Sequence, residues 1–178
     1  MMLLRKAAFE DAEAIEVLIR ESVMRLQAGE YSVEQRQGAL GSVFGLDQLL
    51  IADGTYFAVD AEDGHLIACG GWSKRSTLFG SDNAPGKNDS FLDPAVDGAR
   101  IRAFFVHPDF ARRGVASRIL EACEQEAREA GFRRLQLGAT LTGIPLYERH
   151  GFSAIERVEV PLANGASIPI VRMEKLLP

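Results

Sequence analysis

The side chains and backbone groups with the clearest chemistry lie in one strand–turn–helix run. The apolar stretch Ala103–Val106 is predicted to be a strand. Pro108 stops it, because proline cannot donate to a ladder and restricts the residue before it. An amphipathic helix then begins at Gly114, and its first amides lack partners within the helix and lie at the positive end of its dipole. With Arg112 and Arg113 beside it, this turn is predicted to bind an anion such as a pyrophosphate.

The run resembles the signature of the GNAT superfamily of N-acetyltransferases. The family pattern is Gln/Arg-x-x-Gly-x-Gly/Ala after a strand ending in Val-x-Pro, and Gly114, Ala116 and Val106–Pro108 occupy the matching places. Its first position is Ala111 here, so one of the two following arginines would supply the charge. The alternative is that the glycine only permits a tight turn. The resemblance implies that coenzyme A is held at Arg112, Arg113, Gly114, Val115, Ala116 and Ser117.

A second segment, Leu146–Phe152, resembles the family's Leu/Phe-Tyr-x-x-x-Gly-Phe pattern, in which the tyrosine hydroxyl faces the coenzyme sulfur. An amine that attacks a thioester expels a thiolate, which a nearby phenol can protonate. The resemblance therefore implies that Tyr147 is the general acid. The alternative is a tyrosine that closes the core with its hydroxyl in water. Thr140 stands where the family often has asparagine, and is taken as a cofactor contact.

The resemblance also implies a fold and a reaction. The fold is an α/β, mostly antiparallel mixed sheet, splayed between the strands Arg100–Val106 and Leu135–Ala139 and flanked by helices. The backbone of Phe104, Phe105 and Val106 would pair with pantetheine as an added strand does. Acetyl-CoA is the expected cosubstrate, and an acetyl group would pass directly to a primary amine of a small molecule or protein, since no cysteine is placed to carry it.

The general base is left unassigned by the sequence. Arg100 occupies the position where many relatives have glutamate. Glu30 and Tyr31 either line the acceptor side or are solvated loop residues. A second basic group, formed by Lys74, Arg75, Arg100 and Arg102, would indicate a carboxylate or phosphate on the substrate if it faced the cleft. The commoner fate of strand arginines is exposure to solvent.

Hydrophobic periodicity and turn signals predict the elements that position these groups. A strand at 3–8 leads into a helix whose apolar face includes Ala14 and Ile15. Ser32 and Gln35 predict a capping box for a second helix. The connection 76–98 is rich in Gly, Pro, Asn, Asp and Ser, which predicts a long mobile loop that shapes specificity. The remaining predictions are hairpins about Asp63–Gly64 and Asn164–Gly165, helices at 114–129 and 143–150, and strands at 100–106 and 135–139.

Composition limits the classes of function. The 178 residues predict a single domain, 1–178, and the net charge of −5 argues against a general nucleic-acid or membrane binder. Cys69 and Cys123 are interpreted as reduced core residues, and no residues have metal-ligand spacing. No secretory signal or membrane span is predicted, so the cytoplasm is the expected location. Homodimers are common in the resembling family, but no residue here determines the oligomeric state.

Two other functions remain open on the sequence. One is a coenzyme-binding regulatory or interaction module with weak or no turnover, for which the departures at Ala111, Arg100 and Thr140 leave room. The other is an unrelated phosphate binder that uses only the helix terminus. That class lacks support because the chain has no Gly-x-x-x-x-Gly-Lys-Ser/Thr pattern.

Overall fold

Seven strands and five α-helices make up the computed structural model, which describes residues 1–178. The strands are β1 (Leu3–Lys6), β2 (Tyr56–Asp60), β3 (Leu66–Ser73), β4 (Ala99–Val106), β5 (Arg134–Ala139), β6 (Ser153–Pro161) and β7 (Ser167–Leu176). The helices are α1 (Ala12–Leu26), α2 (Val33–Ala39), α3 (Gln48–Ala52), α4 (Val115–Glu129) and α5 (Ile144–Arg149). All strands belong to one sheet in the order β1-β2-β3-β4-β5-β7-β6.

The middle of the sheet is split. Strands β4 and β5 form its only parallel pair and are in register at two positions, Ala99 with Leu135 and Arg100 with Gln136. Beyond these positions the two strands no longer pair, whereas β5 stays paired with β7 along its whole length. The predicted fold, a mostly antiparallel sheet splayed between these two central strands, is therefore confirmed.

A β-bulge lies where β4 leaves β5. The register between β3 and β4 shifts between Cys69 and Gly71, and Ala103 adopts a left-handed backbone conformation with φ of 55°. The hydroxyl of Tyr56, a fully buried residue, donates to the Ala103 carbonyl over 2.7 Å. Because a bulge bends the strand that carries it, this one helps to turn β4 away from its neighbour.

Two hydrophobic cores cover opposite faces of the sheet. Strand β2 shows the alternation, since Phe57 and Val59 belong to one core while Tyr56 and Ala58 belong to the other. Helix α4 packs on the first core and α1 on the second. The split between β4 and β5 therefore connects the face of the sheet that α4 covers with the face that α1 covers.

The predicted helix signals are largely confirmed. The Ser32 hydroxyl accepts from the Gln35 amide, and the Gln35 side chain accepts from the Ser32 amide, which completes the capping box of α2. In α1, Ile15 is buried but Ala14 is exposed, so the prediction for Ala14 was wrong. Helix α3 was not predicted. It has only five residues, too few to show a period, and Asp47 caps it.

The terminal hairpin differs from its predicted turn. Asn164–Gly165 suggested a two-residue connection, but the Leu162 amide donates to Ala166 and encloses three residues. Gly165 takes the left-handed conformation, with φ of 86°. This arrangement is the usual three-residue solution, in which glycine supplies the positive φ after a turn.

The long connection at 76–98 has no helix or strand, as predicted, yet it is tied to the body of the protein. The Thr77 amide donates to Asn88 over 2.9 Å, and the Ser81 amide donates to Ser42 over 2.7 Å. The Arg102 side chain donates to the Gly80 carbonyl over 2.6 Å. Composition predicted mobility because the loop has little apolar surface to bury. Hydrogen bonds at Thr77, Gly80 and Ser81 tie the first part of the loop to β4 and to the α2–α3 region, so the prediction of mobility stays to be tested.

Amide hydrogen exchange should therefore differ between parts of the connection at 76–98. We expect slow exchange at the amides of Thr77 and Ser81, which donate to carbonyls, and fast exchange at those of Gly86 and Lys87, which donate to none. Exchange measured by NMR at single-residue resolution provides the test, with the amide of Ala58, buried in β2 between β1 and β3, as the slow reference. Equally fast exchange at Thr77 and Gly86 would restore the interpretation of a wholly mobile loop.

Candidate active site

The split between β4 and β5 forms a cleft of about 510 Å³. That volume is within the range of small-molecule sites. Residues from β4, from the turn before α4, from α5 and from the end of α1 line it. The cleft therefore joins the α4 face to the α1 face through the sheet.

The turn before α4 presents unused backbone donors at one side of the cleft. The amides of residues 112–117 donate no hydrogen bond within the protein, and α4 starts only at Val115. Arg112 and Gly114 both have positive φ, 61° and 80°, which folds this backbone into a concave turn. Successive free amides at a helix N-terminus form a site for an anion such as a pyrophosphate.

Only one of the two predicted arginines lines the cleft. Arg112 does, whereas Arg113 lies outside the lining and stacks on Phe110 at 5.2 Å. Arg149 of α5, which was not among the predicted cofactor residues, also lines the cleft. Its signal was present, because it lies two residues after Tyr147 in the second family-like segment. Arg112 and Arg149 are thus the positive side chains available to a bound phosphate.

The other predicted cofactor residues at this end all line the cleft: Gly114, Val115, Ala116, Ser117 and Thr140. Two of their hydroxyls have partners. The Ser117 hydroxyl lies 2.9 Å from Nε2 of His150, and the Thr140 hydroxyl accepts from the Gly143 amide over 3.0 Å. Ser117 can still offer its amide, and Thr140 contributes to the shape of the cleft while it fixes the turn that precedes α5.

The edge of β4 is suited to an extended ligand. Phe104, Phe105 and Val106 line the cleft, as predicted. On one side β4 pairs with β3, but on the side facing β5 no strand pairs with it beyond Arg100. A chain with amide groups can add to such an edge through backbone hydrogen bonds. Gly70 makes room here, because a Cβ on it would lie 2.8 Å from the Phe104 ring.

Tyr147 is almost buried, with 8% of its surface exposed, and lines the cleft. Its ring packs edge-on against Phe104 at 6.3 Å and Phe152 at 5.7 Å. Its hydroxyl makes no hydrogen bond within the protein. Burial raises the pKa of this phenol well above its ordinary value. The side chain is therefore a neutral proton donor held in position by its ring.

The two acceptor-side candidates differ. Glu30 is exposed and is the one carboxylate that lines the cleft. Tyr31 lies outside the lining: it is buried, donates to Pro169 over 2.7 Å and accepts from the Leu141 amide over 2.9 Å. Burial raises the pKa of Tyr31 to about 12. Tyr31 is therefore structural, neither a solvated loop residue nor a cleft residue.

The predicted four-residue basic group does not face the cleft. Arg102 alone lines it, and its guanidinium is paired with Asp47 at 3.1 Å. Arg75 pairs with Asp53 instead, and Lys74 is exposed. Arg100, at the position where relatives have glutamate, donates to Gln136 and to backbone carbonyls outside the cleft. Arg75, Arg100 and Arg102 are thus held by different partners, so the four side chains do not form one group.

No group of three or more His, Cys, Asp or Glu side chains is arranged to hold a metal ion. None of the helices is long and apolar enough to cross a membrane. Both cysteines are buried and unpaired, in agreement with their interpretation as core residues.

Comparison with solved structures shows similar folds. A GCN5-related N-acetyltransferase from Rhodopseudomonas palustris has 21% identity and a TM-score of 0.72, over 98% of this chain and 95% of its own. The PaiA N-acetyltransferase from Thermoplasma acidophilum, solved with coenzyme A, has 16% identity and a TM-score of 0.67, over 99% of both chains. The yncA structure from Salmonella typhimurium, solved with acetyl-CoA, has 15% identity and a TM-score of 0.67, over 100% and 95%.

No curated protein matches the chain. The family model described as Acetyltransferase (GNAT) family, however, matches residues 20–152. That range holds the 112–117 turn, the split strands and Tyr147. Because the match covers well over half of the sequence, the chain belongs to the GNAT acetyltransferase family.

Proposed function

We propose that this protein transfers an acetyl group from acetyl-CoA to a primary amine by direct attack within a ternary complex. The observation that carries the proposal is a single cleft with two features. One is the turn at 112–117, whose free amides can bind a pyrophosphate, and the other is the Tyr147 hydroxyl, which makes no hydrogen bond within the protein. A binding module would need only the first of these. The open edge of β4 between them suits the amide-containing arm of the coenzyme.

The reaction needs two proton transfers, and the cleft offers a group for each. The amine nitrogen attacks the acetyl carbon, a C–N bond forms, and the C–S bond breaks. The departing thiolate takes the proton of the Tyr147 hydroxyl, which solvent later restores. We assign the proton lost by the amine to Glu30, the carboxylate on the α1 side, directly or through water.

The test is thiol release from acetyl-CoA over a panel of amines, preceded by thermal shift with acetyl-CoA, CoA and ATP. We expect acetyl-CoA and CoA to stabilise the protein more than ATP does, and at least one amine to release thiol. If CoA binds but no amine in the panel releases thiol, the protein acts as a coenzyme-binding module. If ATP stabilises it as strongly as CoA, it is a general phosphate binder.

Replacing Gly114 with valine should abolish most acetyl-CoA binding. A Cβ at this position would project into open space, where a ligand approaches the turn, and φ of 80° is strained for a β-branched residue. We expect the Kd to rise by about tenfold or more in calorimetric titration.

The matched control is Gly64→Val. Gly64 has φ of 86° and an equally open Cβ position, but it lies in the β2–β3 turn and outside the cleft. This variant should lose similar stability and retain acetyl-CoA affinity. Equal affinities for the parent and Gly114→Val would place the pyrophosphate elsewhere.

A further inference from the structure

One short part of the long connection enters the cleft. Leu78, Phe79 and Gly80 line it, and Phe79 packs against the core on the α1 face of the sheet. The Phe79 ring packs on β5, where a Cβ on Gly138 would lie 2.7 Å from it. Ile170 of β7 lies beside the same position, at 3.1 Å. The ring thus occupies space next to β5 where β4 no longer pairs with that strand.

The segment is anchored at both of its ends by one side chain. Arg102 donates to the Thr77 carbonyl over 3.3 Å and to the Gly80 carbonyl over 2.6 Å. Its guanidinium also pairs with Asp47, and both residues are buried. Leu78 and Phe79 lie between these two anchored carbonyls. They therefore form a fixed wall of the cleft.

The rest of the α1 half of the cleft is mainly apolar. Its side chains include Leu26, Val43, Phe44, Phe79, Leu141 and Ile170. Glu30 makes no ion pair, and the Gln27 side-chain oxygen is buried without a hydrogen-bond partner. Glu30, which is exposed, therefore provides an accessible acceptor for an ammonium or amine, whereas the buried Gln27 oxygen would accept from it only after the Gln27 side chain moved.

The same half offers little to balance a carboxylate. Arg102 is its one positive side chain, and Asp47 already compensates that charge. Nε of Arg102 has no partner, but it is buried, so an anion would reach it only after the guanidinium moved. A second charge on the acceptor would thus lose hydration without gaining a free counter-charge.

We propose that the acceptor is a small primary amine with a compact apolar body and no carboxylate, and that Phe79 determines this specificity. The inference rests on the proposed function and narrows its acceptor. The ammonium lies toward Glu30, and the apolar body packs on Phe79. The fixed wall at 78–80 limits the room for a polypeptide acceptor.

The test uses 2-phenylethylamine as the probe, against phenylalanine, putrescine and a short peptide with a free N-terminus. With acetyl-CoA saturating, we expect kcat/KM for 2-phenylethylamine to exceed that for each of the others by about tenfold or more. A preference for phenylalanine would assign carboxylate binding to Arg102 and overturn the proposal. Equal or faster reaction of the peptide or of putrescine would overturn it as well.

Variants then test the wall. Phe79→Ala should lower kcat/KM for 2-phenylethylamine by about tenfold, because the amine loses an aromatic contact, and should leave acetyl-CoA affinity unchanged. Phe91→Ala is the matched control: Phe91 lies in the same connection, is 65% exposed and stacks on Arg75 outside the cleft. If Phe79→Ala unfolds, Phe79→Leu keeps an apolar contact and should give a smaller loss in the same direction. If kcat/KM for 2-phenylethylamine is unchanged in a folded Phe79 variant, Phe79 does not determine the acceptor specificity.

Calorimetry separates this inference from the proposed function. Binding of 2-phenylethylamine to the CoA complex is measured without turnover, in the parent and in Phe79→Ala. If no amine releases thiol but this binding is present and weakened by Phe79→Ala, the proposed function fails and the acceptor pocket stands. If amines release thiol but 2-phenylethylamine does not bind, the pocket fails and acetyl transfer stands. If neither binding nor turnover occurs, both are overturned.

Discussion

The Tyr147→Phe variant is expected to bind acetyl-CoA as the parent does and to turn over far more slowly. Phenylalanine keeps the edge-on contacts with Phe104 and Phe152, so the cleft keeps its shape. Only the proton for the departing thiolate is lost. General acid catalysis contributes about a hundred- to ten-thousand-fold, and water replaces part of it, so kcat should fall at least about tenfold.

The measurement needs a step limited by chemistry. Single-turnover thiol release, with calorimetric Kd for acetyl-CoA, separates the chemical step from product release and from binding. A kcat equal to that of the parent under those conditions would remove Tyr147 from the mechanism. A fall in kcat together with a large rise in Kd would instead indicate that the hydroxyl supports the fold of the cleft.

The second large effect is expected on stability, from Arg102→Met. The variant leaves the buried Asp47 carboxylate with only Lys87, at 3.0 Å, as a charged partner. It also removes the donors to Thr77 and Gly80. Breaking a buried ion pair from one side costs about 3–5 kcal/mol, so the free energy of unfolding in urea should fall by that amount.

Two controls test the cause of this loss. Arg157→Met removes an exposed pair with Glu159 and should change stability by less than about 1 kcal/mol. The double variant Asp47→Asn/Arg102→Met leaves no uncompensated carboxylate and should recover part of the loss, while asparagine can still cap α3. If Arg102→Met is as stable as the parent, the ion pair does not hold the 78–80 wall.

Acid should reduce the difference between Arg102→Met and the parent. Burial alone would raise the pKa of Asp47, but Arg102 and Lys87 together outweigh burial and hold it below its ordinary value. A depressed carboxyl pKa stabilises the fold above the unfolded pKa, and this contribution is lost as the pH falls through the folded pKa. In the variant, the carboxyl is less well compensated and takes up its proton at higher pH. The stability deficit should therefore shrink as the pH is lowered from 7 through the acid range.

Much of the fold and part of the site could be predicted from local sequence. Pro108 marks the end of a strand and Gly114 the start of a helix, because backbone conformation at these residues is a local property. Ser32 and Gln35 predicted their capping box for the same reason. The family-like spacing of Gly114 and Tyr147 predicted that both residues belong to one site, and both line the same cleft in the structure.

Tertiary structure decided the residues whose roles depend on distant partners. Tyr31 is structural because its hydroxyl reaches Leu141 and Pro169, more than a hundred positions away. Arg102 faces the cleft while Arg100, two residues earlier on the same strand, is held outside it.

The connection at 76–98 also shows which features local sequence determines and which depend on tertiary contacts. Its composition determined that it would lack helices and strands, because it has too few apolar residues in any period. Composition could not show that a buried Arg102–Asp47 pair and the carbonyls of Thr77 and Gly80 would fix Phe79 against β5. Local sequence determines backbone conformation, whereas a wall of the cleft depends on long-range pairing of buried charges, which exists only once the sheet has formed.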